Sequence, residues 1–130
     1  MSTAFKILSS PHLLHTVLRM DAASCALMGI SLLLFAGNLS LLLGVPTDFL
    51  RACGLVLFPC AALMLVAAHY PRPPAILLWL IIGGNIAWVL GSALLGVFLP
   101  LTALGQGFVL AQAFAVAVLA GLEVAGWLKC

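Results

Sequence analysis

Few side chains in this sequence can do chemistry, and most of those are uncharged. Asn85, Trp88 and Ser92 recur at i, i+3 and i+7, which puts them on one face of a helix. Gln112 falls at a similar depth in the next apolar stretch. Two amides, an indole N–H and a hydroxyl at one level could hold a small molecule by hydrogen bonds. They could equally bond to one another as glue between helices. Asn38, the only other asparagine, has the same Gly-Asn context as Asn85 and completes this candidate ligand-binding set. A second set is ionic. Arg19 and Asp21 precede one apolar stretch and Glu123 closes another, with Lys129 just beyond. If the first and last helices touch, Arg19, Asp21 and Glu123 form an interfacial ionic cluster. Its alternative role is an entry point for a proton or cation.

The remaining reactive residues make weaker patterns. His12 and His15 are three apart, but two histidines without a third ligand make a poor metal or haem site. Cys53 and Cys60 share a helix face, Cys25 lies in the first apolar stretch and Cys130 ends the chain. No C-x-x-C, no nucleophile with an evident base and no phosphate-binding glycine loop occurs. The expectation is a protein with no metal and no cofactor, and with no catalytic residues.

What positions these groups follows from composition. Of 130 residues 65% are hydrophobic and 6% charged, five being Lys or Arg and three Asp or Glu. A soluble domain carries about 25% charge. So few charges cannot cover a water-facing surface, so the chain is built for lipid. A net charge of +2 offers no basic patch, which excludes a nucleic-acid partner.

A spanning helix needs about 20 apolar residues. Four uncharged stretches qualify, approximately 22–44, 52–70, 75–99 and 101–122. Val45-Pro46-Thr47-Asp48, Pro71-Arg72-Pro73-Pro74 and Pro100 separate them. Short loops make consecutive helices antiparallel neighbours, and no period-2 alternation suggests a barrel. The expected fold is an all-α, polytopic, antiparallel four-transmembrane-helix bundle over residues 22–130. Residues 1–21 precede it. Leu13, Leu14, Val17 and Leu18 oppose His12, His15 and Arg19 there, as in a short amphipathic helix on the membrane surface or one extending the first span. Lys6, Arg19, Arg72 and Lys129 fall on one side of four crossings and only Arg51 on the other, which places both termini in the cytoplasm of a bacterial inner-membrane protein.

Gly37–Gly44 aligns with Gly84–Gly91 around the two asparagines, and Leu50, Ala52 and Gly54 with Leu101, Ala103 and Gly105. This reads as two duplicated helix hairpins, which would bring Asn38 and Asn85 near the bundle centre. Small residues recur at Ala113, Ala117, Gly121 and Ala125, at Gly83, Ala87 and Gly91, and at Cys25 and Gly29. They predict close helix packing, with a surplus face left for a second copy or a larger membrane-protein partner. Pro59 should leave the Leu55 carbonyl without its helical bond and bend the second span.

In length and helix count the chain is similar to the small multidrug resistance transporters. Those carry a glutamate within the first span, and residues 22–44 hold no acid, which argues against proton-driven export. The leading expectation is a non-enzymatic accessory or scaffold subunit of a membrane assembly, in contact with lipid and a protein partner. The alternative is a transporter or binding protein for a small lipophilic molecule.

Overall fold

The structure is a computed structural model and describes residues 12–128. Lys6, Ser10, Pro11, Lys129 and Cys130 lie outside the described residues. The molecule is all-helical, with no strand among the described residues. Among the described residues five helices follow one another: α1 (Leu13–Leu34), α2 (Ala36–Leu43), α3 (Thr47–His69), α4 (Ala75–Phe98) and α5 (Ala103–Leu128). All but α2 are long and apolar enough to cross a membrane. Leu41, Leu90, Phe98 and Phe114 are among the large apolar residues left facing outward. In lipid such a surface costs nothing, which is why this chain needs so few charges.

The helix boundaries follow local chemistry. Gly44 ends α2 in the left-handed region at φ +78°, the conformation a glycine adopts without strain. Pro46 and Pro74 stand just ahead of α3 and α4, where their missing N–H groups cost no helical bond. The Thr102 hydroxyl accepts from the Gly105 N–H at 2.9 Å and so caps α5. The same hydroxyl donates to the Leu42 carbonyl at 2.7 Å, and the Thr102 N–H donates to Leu43 at 3.1 Å. One residue thereby starts α5 and satisfies the end of α2.

The first helix extends the first span at its N-terminal end, one of the two expected forms, and departs from expectation at the other. It runs without interruption from Leu13 through Asp21, so there is no boundary between a surface helix and a span at residue 21. Leu13, Leu14, Val17 and Leu18 pack inside the bundle and do not lie on a membrane surface. At the other end the expected span over 22–44 breaks at Phe35 (φ −115°, ψ +21°). Ser31 donates its hydroxyl back to the Leu27 carbonyl at 2.8 Å, a bond that loosens the helix just ahead of the break.

The duplicated hairpins do not emerge. Gly37–Gly44 forms the short α2, whereas Gly84–Gly91 lies inside the unbroken α4. Asn38 is exposed and Asn85 is buried, so the two asparagines occupy unrelated environments.

The packing is uneven. α1 crosses α3 closely, α5 lies along both α4 and α1, but α3 and α4 meet only sparingly although a short loop joins them. Gly29 and Gly54 make the α1–α3 crossing. A Cβ on either would come within 3.1 Å of the other's carbonyl oxygen. Gly126 lies against the Leu14 backbone, which brings the described ends of α1 and α5 to one side of the bundle. Two apolar clusters result. Leu14, Leu18, Met64, Ala67 and Leu78 fill the terminal end, and Leu32, Leu43, Leu50 and Leu57 fill the opposite end. The small-residue ladders are only partly used. Ala113 is buried, whereas Ala117, Gly121, Gly83, Ala87 and Gly91 face outward. The inner face of α5 is instead Val109, Ala113, Ala120, Glu123 and Gly126. Helix α3 continues unbroken through Pro59, which stands on its exposed side.

Candidate functional site

The bundle interior holds two polar groupings, one on each side of Trp88. The first joins three helices. Asn85 lies eleventh of the 24 residues of α4, close to the middle of the helix. Its amide nitrogen donates one hydrogen to Asp21 Oδ2 on α1 at 2.9 Å and the other to Glu123 Oε1 on α5 at 2.7 Å. Its two N–H donors are thereby fully used. The exposures are 2% for Asp21, 7% for Asn85 and 0% for Glu123. The two carboxyl groups are neighbours, since both accept from this one nitrogen. Glu123 Oε2 has no hydrogen-bond partner. Asp21 Oδ1 faces the Cys25 thiol at 3.8 Å, a weak contact.

Asp21 is the ninth residue of α1 and Glu123 the sixth from the end of α5. They meet at the level of Asn85, about 15 Å along α4 at 1.5 Å per residue. The expected ionic cluster forms only in part. Asp21 and Glu123 come together, but Arg19 is exposed and makes no ion pair with either. Among the described residues the single ion pair is Arg51 with Asp48, 3.9 Å apart on the surface of α3.

The second grouping is a closed hydrogen-bond ring. The Trp88 indole N–H donates to Gln112 Oε1 at 2.7 Å, and the Gln112 amide donates to Ser92 Oγ at 2.8 Å. The Ser92 hydroxyl donates to the Trp88 carbonyl at 2.7 Å, and the Gln112 amide also reaches the Val109 carbonyl at 2.9 Å. The set of Asn85, Trp88, Ser92 and Gln112 thus divides in two. Asn85 serves the acids, while the other three tie α4 to α5. Asn38 joins neither.

This ring forms one wall of a cavity of about 420 Å³ in the sparse seam between α3 and α4. Its lining is almost wholly apolar and includes Met28, Leu32, Phe49, Cys53, Ala87 and Phe108. Gly84, Ala87 and Gly91 keep its α4 wall low, since a Cβ at Gly84 or Gly91 would meet nothing within 4 Å. A smaller cavity of about 60 Å³ lies beside the acids, against Asp21, Asn85 and Cys25. Gly84, Trp88 and Cys60 border both cavities.

At the terminal end His15 carries no metal-ligand set. Its Nε2–H donates to the Tyr70 carbonyl at 2.6 Å, because a carbonyl can only accept, and this ties α1 to the loop after α3. Trp79 and Trp127 meet edge to face with centroids 5.7 Å apart at the same end. Among the described residues no three His, Cys, Asp or Glu side chains are grouped to hold a metal ion.

The chain matches no protein-family model, and no curated protein or solved structure is recognisably similar to it.

The sequence brings Asp21 and Glu123 into one cluster but does not reveal their burial, because Asp21 sits at the end of an uncharged run. A charge there reads as the edge of a span. The signal that could have revealed it is the continuous apolar stripe Leu14, Leu18, Ala22 and Cys25, which carries the helix past Asp21 without a breaker.

Proposed function

We propose that this protein binds a small lipophilic molecule within the membrane, in the cavity between α3 and α4. The observation that carries this reading is the cavity itself. At about 420 Å³ it falls within the range of small-molecule sites, and its walls are apolar with a single polar band. The polar atoms of that band bond to one another, so the fitting ligand is mainly hydrocarbon, such as an acyl or prenyl chain, or the tail of a quinone. A ligand offering one hydrogen-bonding group could contact the Trp88–Gln112–Ser92 ring at its edge. The excess of Lys and Arg on the terminal side supports an inner-membrane protein with both termini cytoplasmic.

Photolabelling tests the reading. The probe is a neutral long-chain alcohol carrying a diazirine, applied to the protein in lipid nanodiscs. Labelling should saturate and concentrate on the peptides bearing Cys53, Ala87 and Trp88. Ala87→Phe, which fills the cavity from α4, should abolish that labelling and leave the helix content unchanged. Uniform, non-saturating labelling of all lipid-facing helices would overturn it.

A second reading, an accessory or scaffold subunit, takes the same α4 wall as a surface for a helix. Gly83, Gly84, Ala87 and Gly91 form an open small-residue face on α4, which a partner helix could approach closely. It predicts that a companion protein copurifies in mild detergent and is lost on Gly83→Leu. A monomer without companions counts against it.

A further inference from the structure

We infer that Asp21, Asn85 and Glu123 form a proton-binding site inside the helical bundle. This does not depend on what fills the cavity between α3 and α4.

The geometry leaves a gap of one particular kind. Carboxylate oxygens are acceptors only. The Asn85 amide supplies one hydrogen to each acid and has none left. Glu123 Oε2 is then a fully buried oxygen with no donor, and its carboxyl shares the Asn85 nitrogen with that of Asp21. Two acceptors held side by side repel unless something positive lies between them. Two carboxylates sharing one buried site do not both ionise.

No positive group on the elements around the site fills that role among the described residues. From α1 come Asp21 itself and the Cys25 thiol, and from α3 the Cys60 thiol. From α4 come Asn85 and Trp88, both uncharged, and from α5 Glu123. No lysine, arginine or histidine among the described residues pairs with either acid. A metal ion would need more ligands than this group offers. A single hydrogen needs only the two facing oxygens. Bound to one acid, it donates to the other and satisfies both.

The adjoining cavity of about 60 Å³ leaves space beside Asp21 for water that would carry such a proton. It has room for one or two waters and touches Asp21 and Asn85. A hydronium arriving there transfers its proton to the pair and leaves as water, and release is the reverse. The pair changes its charge by one, with Asn85 holding both acids in place throughout.

The test uses the full-length protein in lipid nanodiscs at neutral pH, with dicyclohexylcarbodiimide as the probe. This apolar reagent adds to a protonated carboxyl and rearranges to a stable acylurea, consuming nothing else. The expected result is one adduct per chain, on the peptide of Asp21 or of Glu123. It should disappear at high pH and persist in excess sodium. Glu123→Gln combined with Asp21→Asn should abolish it, and Cys25→Ser should not. Infrared spectroscopy of the unsubstituted protein gives a reading that no misfolded variant can spoil. A carboxylic-acid carbonyl band should be present at neutral pH and shift on exchange into heavy water. Asp48→Asn, at a fully exposed side chain on α3, should leave the band in place. Absence of both adduct and band at neutral pH would overturn the inference. So would loss of both on adding sodium, which would mark the pair as a metal-cation site.

Discussion

Asn85 shows how much one uncharged side chain can do in an apolar interior. It donates to two carboxylates on two other helices, and no other hydrogen-bond donor among the described residues serves Glu123. Removing a donor from a buried charged or partly charged group costs more than a neutral hydrogen bond, because the group has no water to turn to. Asn85→Leu is therefore expected to lower stability by about 3 kcal/mol, measured by thermal unfolding in detergent. Asn38→Leu, at an exposed position, should change it by less than about 0.5 kcal/mol. Trp88→Phe tests the neighbouring ring. It keeps the aromatic bulk but removes the N–H that Gln112 accepts, for an expected loss of about 1 kcal/mol.

At the level of helices, glycine acts where backbones approach and is idle elsewhere. Gly105 packs so tightly that an added Cβ would overlap the Leu43 carbonyl. Backbone cannot move aside as a flexible side chain can, so Gly105→Ala should separate α2 from α5 and cost 3 kcal/mol or roughly more. Gly83 faces open space on α4, and alanine there removes only the glycine penalty within a helix. Gly83→Ala should then be neutral or stabilise by about 0.5 kcal/mol. Side-by-side denaturation curves of the two variants check both statements. Thr102→Val asks how far the joint between α2 and α5 depends on one hydroxyl. It should cost about 1–2 kcal/mol, since the cap on Gly105 and the bond to Leu42 vanish together.

For the whole molecule, the informative feature is an imbalance. Three helix pairs are closely packed and the α3–α4 pair is not, although a Pro-rich loop of a few residues joins those two helices. An apolar seam left open in lipid must be filled by a lipid chain, a ligand or another helix. Cys53 lines the cavity and is a built-in reporter. Its reaction with a lipophilic maleimide should slow at least several-fold when the long-chain alcohol occupies the seam. Cys25, beside the acids and outside that cavity, should react at an unchanged rate. Equal slowing at both positions would mean that the alcohol alters access through the bilayer and does not occupy the cavity.

Composition and the placement of prolines were enough to establish that the chain folds as apolar helices of membrane-spanning length joined by short loops. These are local properties. Hydrophobic runs set helix length, and Pro46, Pro74 and Pro100 interrupt the chain wherever they fall. The polar candidates Asn85, Trp88, Ser92 and Gln112 were also legible, because any polar group in so apolar a chain stands out. That Gln112 meets Trp88 and Ser92 was among the expectations, but the acid partners of Asn85 were not. Spacing along one helix reveals a shared face, but not which helix will meet it. Only the tertiary structure decided that Asn85 turns to Asp21 and Glu123 while Trp88 turns to Gln112, that Arg19 stays outside, and that matching glycine-asparagine segments take unlike positions. The physical reason is that a buried acceptor must find a donor wherever the packing of whole helices brings one, and that packing depends on which small residues allow backbones to touch. The contact of Gly126 with Leu14 draws α1 and α5 together, and so helps place two distant acids on one amide.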